Sequence, residues 1–104
     1  MSDTITLHVQ WIEDGNNITS DPCAEQNADS VRLWTPDGEC VAEWTRNGEP
    51  GALLTRWDVT ASDYGPDVLD NGDLSGFARP GDAVNAGVEW FRTTCQPTCT
   101  VELD

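Results

Sequence analysis

The chain has 104 residues, a length that predicts one domain over residues 1–104. Nineteen acids against five arginines and no lysine give a formal net charge of −14, which argues against direct nucleic-acid binding, because that needs a basic surface. No apolar run approaches the roughly 20 residues of a membrane span, and Met1-Ser2-Asp3-Thr4 lacks the basic and apolar regions of a secretory signal. The expectation is a chain that does not leave by that route, or one whose signal has been removed.

Thr4 to Ile12 alternates Ile5, Leu7, Val9 and Trp11 against Thr4, Thr6, His8 and Gln10, the period of a half-buried strand. Glu13-Asp14-Gly15-Asn16 ends it with turn residues, and a polar, irregular stretch follows as far as Asp29. Asn17-Ile18-Thr19 in that stretch has the form of a glycosylation acceptor, a triplet that arises often by chance. Ser30 to Thr35 reads as a second strand, with Val31 and Leu33 against Arg32 and Trp34. Pro36-Asp37-Gly38 makes a hairpin turn into Glu39 to Thr45, where Cys40, Ala42 and Trp44 share one face and Val41 and Glu43 the other. After a second turn at 46–51, Leu53, Thr55, Trp57 and Val59 form one face of a fourth strand.

Residues 63–76 read as a long acidic loop. Arg79-Pro80-Gly81-Asp82 is a turn, and Val84, Ala86, Val88 and Trp90 alternate with Asn85, Gly87 and Glu89 as a fifth strand. A connection at Gln96-Pro97-Thr98 returns the chain into Val101 and Leu103, so the closing element is expected to be a hairpin pinned by Cys95 and Cys99. No apolar series of three helical turns stands out. The pattern predicts an all-β fold, a small antiparallel sandwich of six to seven strands, immunoglobulin-like or similar. The Pro-Gly-Asp turn before a long strand is similar to one that recurs in such sandwiches, a generic resemblance.

The four cysteines are an even count in a small domain, which favours two disulfides, and four cysteines allow three connectivities. Cys23–Cys40 and Cys95–Cys99 each bracket a turn or short hairpin. A zinc site of all four thiolates, or four buried thiols acting as small apolar groups, are the alternatives. Asp63, Asp67, Asp70, Asn71, Asp73 and Asp82 fall within twenty residues and offer oxygens of the kind calcium takes, though the spacing is not that of an EF-hand. Otherwise no cofactor is expected. The blander reading of those acids is a solvated loop.

His8 is the only histidine and lies mid-strand on the polar face, and no serine has a nucleophile-elbow context, so no catalytic constellation is found and no enzyme is expected. Trp11, Trp44, Trp57 and Trp90 lie on faces expected to point inward. Trp34 and Phe91 lie on the opposite faces, where with Arg32 and Arg92 they would suit a protein–protein interface.

The acids are spread evenly, ten up to Glu49 and nine from Asp58 on, which is what a protein working in concentrated salt requires. There the Debye length falls to about 3 Å and self-repulsion is screened. An ordinary acidic protein from a genome poor in lysine codons is the alternative source of that composition.

These features favour a non-enzymatic structural or interaction module with protein partners, or copies of itself. An accessory protein of a virion from a high-salt environment, associated with capsid or tail, fits them best and places the chain on a particle or at a cell exterior. The alternatives are an acidic nucleic-acid mimic that inhibits a host defence nuclease or effector in the cytoplasm, and a calcium-dependent adhesion or carbohydrate-binding domain.

Overall fold

The computed structural model describes residues 4–49, 52–95 and 99–103. The domain is mostly β, built on one six-stranded sheet: β1 (Thr4–Glu13), β2 (Asn16–Asn17), β3 (Ser30–Trp34), β4 (Cys40–Asn47), β5 (Arg56–Ala61) and β6 (Thr100–Leu103). The sheet order is β2-β1-β3-β4-β5, with antiparallel pairing throughout that path. β6 pairs in parallel with the first half of β1, from Thr4 opposite Thr100 to Leu7 opposite Leu103. Short helices α1 (Ala24–Asn27) and α2 (Pro66–Leu69) and a 3-10 turn at Gly72–Leu74 fill the connections, and one longer helix, α3 (Pro80–Trp90), continues into a wider turn at Phe91–Cys95.

The first three expected strands form, as β1, β3 and β4, and β1 and β3 keep the expected alternation. Val9 faces Leu33 and Trp11 faces Val31, while Val31 and Leu33 are fully buried. The β3–β4 connection is the expected tight turn: Gly38 takes φ +91°, its N–H donates to Thr35 O, and Thr35 N donates back to Glu39 O.

α3 stands where the alternating reading predicts the fifth strand. Two periods coexist in 80–91. Val84, Ala86, Val88 and Trp90 repeat every second residue, but Pro80, Ala83, Val84, Gly87 and Phe91 repeat at helical spacing, and these five are the buried ones. Local chemistry favours the helix. Pro80 occupies the first helical position, where its missing N–H costs nothing, and Asp82 lies in the first turn, where the helix dipole favours a carboxylate. The second layer of the core is therefore this helix laid across one sheet face, and the closing hairpin is not formed. Residues 96–98 of that hairpin lie outside the described residues.

Two smaller departures follow from backbone irregularities. A bulge in β4 leaves Val41 without a direct partner, since Leu33 pairs with Ala42 but Trp34 with Cys40. An extra residue reverses the alternation, so Val41 joins Ala42 and Trp44 in the core and Cys40 turns to the other face. The fourth strand begins at Arg56, later than expected. Ahead of it, Thr55 Oγ1 bonds Ala52 O at 3.0 Å and Ala52 N bonds Glu49 O, which closes a turn and leaves Leu53 and Leu54 out in solvent.

The core gathers Leu7, Val31, Leu33, Val41, Ala42, Trp44 and Trp57 from the sheet with Val68, Leu74, Ala83, Val84 and Phe91 from the layer above. Trp11 and Trp90 pack half-buried against it. Trp44 is its centre. The indole is fully buried, and its Nε1 donates to Leu74 O at 2.8 Å. Its ring lies directly under Gly87, where an added Cβ would stand 2.5 Å from one ring carbon, 3.0 Å from the next and 3.2 Å from a Leu33 methyl.

Gly87→Ala is expected to lower stability, measured by chemical denaturation. Alanine gains up to about 1 kcal/mol of helix propensity, but overpacking a fixed core typically costs about 1–3 kcal/mol. An unchanged or raised denaturation midpoint would show that α3 does not seat on Trp44.

Candidate interaction surface

With α3 on one face, the opposite sheet face carries no covering helix or strand among the described residues. Register determines its content. His8 lies opposite Trp34, which lies opposite Cys40; Gln10 lies opposite Arg32, which lies opposite Glu43. Opposed residues in a ladder project to the same side, so these side chains form two adjacent rows across the middle of the sheet. His8 is exposed, and Gln10, Arg32, Trp34 and Glu43 are half-buried.

The cluster is held by its own contacts. Gln10 Oε1 accepts from Trp34 Nε1 at 2.8 Å, which fixes the indole edge. Arg32 pairs with Glu43 through Nε, and its guanidinium carbon stands 6.0 Å from the Trp34 ring centroid, within cation–π range. Beside them a cleft of about 240 Å³ is walled by Trp34, Cys40, Glu43, Ser62 and Asp63. Its rim is secured by Asp63 Oδ2, which accepts from Cys40 N at 2.7 Å, and by Ser62, whose hydroxyl donates to Val41 O and accepts from Tyr64 N. An indole and a guanidinium held in place on an uncovered sheet face lose little freedom on binding, and these are the side chains enriched at protein–protein hot spots.

Of the four residues expected to form an interface, the structure brings together Arg32 and Trp34 only. Phe91 is 3% exposed and belongs to the core on the far side of the sheet, its ring centroid 6.2 Å from that of Tyr64. The reason is the helical period, which turns residue 91 inward with 80, 84 and 87. Arg92 follows it and pairs with Glu89 on the α3 side, where the hydrogen bond holds the Glu89 carboxyl below its ordinary range.

The cysteines do not form the expected Cys23–Cys40 bridge. Both are free thiols, Cys23 exposed beside Pro22 and Pro80, and Cys40 8% exposed in the Trp34 cleft. The β4 bulge turns Cys40 toward a wall that Cys23 does not share. Cys99 is half-buried, and the Cys95 side chain lies outside the described residues, so that pairing does too. Burial, aided by the Asp63 carboxylate, pushes the Cys40 thiol up to about 11. It is a protonated space-filler at neutral pH, not a nucleophile.

The expected calcium ligands are dispersed. Asp63 is committed to Cys40 N, Asp67 and Asp82 sit in the first turns of two different helices, and Asn71 Oδ1 caps the 3-10 turn through Asp73 N. Among the described residues no three of His, Cys, Asp and Glu converge to hold a metal ion. Asn17 and Thr19 of the acceptor triplet bond each other, and Thr19 Oγ1 accepts from Trp11 N, so they shape the turn after β2.

Comparison of the chain with protein-family models, with curated proteins and with solved structures finds no match.

Cys40 makes stability fall in alkali. The folded thiol titrates near 11 against an ordinary 9.0, so the folded state holds the proton more tightly. The stabilisation is complete below about pH 9 and is lost as pH rises toward 11, by up to about 2–3 kcal/mol. Unfolding free energies measured from pH 8 to 11 on the wild type and Cys40→Ala are expected to show a steeper alkaline decline in the wild type. Parallel curves would remove this account of the site.

Proposed function

We propose that this chain is a non-catalytic interaction module that docks a protein partner on its uncovered sheet face. The surface it offers is centred on Trp34 and Arg32. The observation that carries the reading is the fixed indole–guanidinium pair in the middle of that face. It combines the two side-chain types most frequent at hot spots with a geometry already set before binding.

The composition supports a setting. A lysine-free chain at −14 repels its own copies and most surfaces at low ionic strength, and in molar salt that field collapses within a few ångströms. Short-range contacts such as the Trp34 surface are what remains effective there. An accessory subunit on a larger particle in brine, such as a virion, is the role these features fit.

A particle extract passed over immobilised wild-type chain in high salt should yield a bound protein whose recovery drops at least about tenfold with Trp34→Ala, the loss expected of a hot-spot residue. Melting temperature should climb with KCl toward about 2 M, where screening is nearly complete. Equal recovery on the Trp34→Ala chain would remove the Trp34 surface from the reading. Displacement of the partner by duplex DNA would point to nucleic-acid mimicry, and a melting temperature flat in KCl would remove the saline setting.

A further inference from the structure

Among the described residues, the turn between β4 and β5 presents the most exposed of the large apolar side chains. Leu53 and Leu54 are 101% and 91% exposed, at the two central positions of a turn fixed by Thr55 and Ala52. Adjacent leucines held out by a hydrogen-bonded turn form a knob, and each side chain is stabilised by leaving water. On the α3 side the same molecule carries a groove of about 380 Å³ between the 3-10 turn and the helix. Its lining includes Leu74, Ala86 and Trp90, and its rim carries Asp73, Glu89 and Thr93. The volume falls within the ~300–1,000 Å³ range of pockets that hold small ligands.

We infer that the Leu53–Leu54 knob of one copy seats in the 3-10/α3 groove of another, so that the chain assembles head to tail with itself. Charge identifies the occupant. Contact between two chains at −14 is repulsive wherever their acids face each other, and each of these two patches carries an arginine paired with one of its acids. The segment 46–58 carries Arg46 and Arg56 against Glu49 and Asp58 and is formally neutral, although the chain as a whole is far from neutral. At the groove, Arg92 covers Glu89 and leaves the exposed Asp73 as the uncompensated rim charge. Arg56, whose side chain is 63% exposed even while paired with Asp58, is the cation on the knob side that matches it. Three of the five arginines thus lie at the two patches, Arg46 and Arg56 at one and Arg92 at the other. Knob and groove are different surfaces, so the contact is heterologous and propagates into rings or open chains instead of stopping at a symmetric dimer.

This contact uses neither Trp34 nor Arg32, and its test is separate from that of the docking face. Sedimentation of the wild type up to about 1 mM, a range that detects weak contacts, should show average mass rising above 11.4 kDa with concentration. The rise should be stronger in about 2 M KCl than at low salt, because screening removes the residual repulsion. Leu53→Asp/Leu54→Asp and Ala86→Trp should each weaken association at least tenfold with folding retained by circular dichroism. Thr93→Trp at the exposed rim replaces Ala86→Trp if that variant unfolds. The decisive sample is the mixture: the first variant keeps a groove and the second keeps a knob, so together they should form a one-to-one pair that neither forms alone. A wild type that stays monomeric overturns the inference, as does a mixture that stays monomeric or a groove variant that associates undiminished. Trp34→Ala should leave this behaviour unchanged, and a loss of association in that variant overturns the inference too.

Discussion

The fold turns on the contact between the Trp44 indole and the backbone of α3 at Gly87. A sheet this small has one apolar face to cover and one helix of useful length to cover it. The helix can approach only where it has no side chain. Gly87 is that place: the indole fills the space a Cβ would occupy, and its Nε1 reaches past the helix to the Leu74 carbonyl. One side chain thereby connects β4, the helix and the 3-10 turn. A tryptophan there buries a large area and also satisfies a polar atom, so the core holds together with modest apolar content.

From that contact follows the asymmetry of the molecule. The covered face carries the packing. The uncovered face is free to carry polar chemistry, and its register delivers it: Gln10, Arg32 and Glu43 in one row, His8, Trp34 and Cys40 in the next. Antiparallel sheets tolerate one solvated face, but a half-buried indole with its N–H already bonded is more than solvation requires. The β4 bulge sharpens the division. It puts Val41 into the core and sends Cys40 outward, where burial against Asp63 keeps the thiol protonated.

What could be read from the sequence divides along the same line. β1, β3 and β4 and the turn at Gly38 were legible, because alternation and turn chemistry agree there. Arg32 and Trp34 were legible as a pair on the outward face, since strand parity alone assigns them. The stretch 80–91 was not, because two periods overlap in it. Val84 serves both, and Gly87, read as one position of the alternation, is the seat of an indole from a strand some forty residues earlier. Only Pro80 at a helix start and Asp82 in a first turn could have tipped the balance locally. Phe91 and Arg92 were misplaced by the same error. Cys40 and Leu53 were misplaced for another reason: a bulge and a hydrogen-bonded turn each break parity, and neither leaves a mark in hydropathy. The carboxylates of 63–82 were legible as acids and not as a site: Asp63 accepts from a backbone N–H, and Asp67, Asp73 and Asp82 lie in the first turns of three separate helical segments.

Charge is distributed over the architecture in a way hydropathy does not reveal. Nineteen carboxylates on so small a body would make any mutual approach costly in dilute buffer. Yet the arginines are not scattered to soften this everywhere. Arg32 is paired on the open face, Arg46 and Arg56 flank the leucine turn, and Arg92 sits beside the α3 groove. Arg32 and Arg46 each stand within cation–π range of an indole, Trp34 and Trp57, while Arg56 and Arg92 each pair with a neighbouring acid. Held this way, four of the five cations neutralise acids or cover rings locally, and the excess carboxylates set the long-range field. Raising the salt concentration then weakens the repulsion everywhere while leaving those short-range contacts intact.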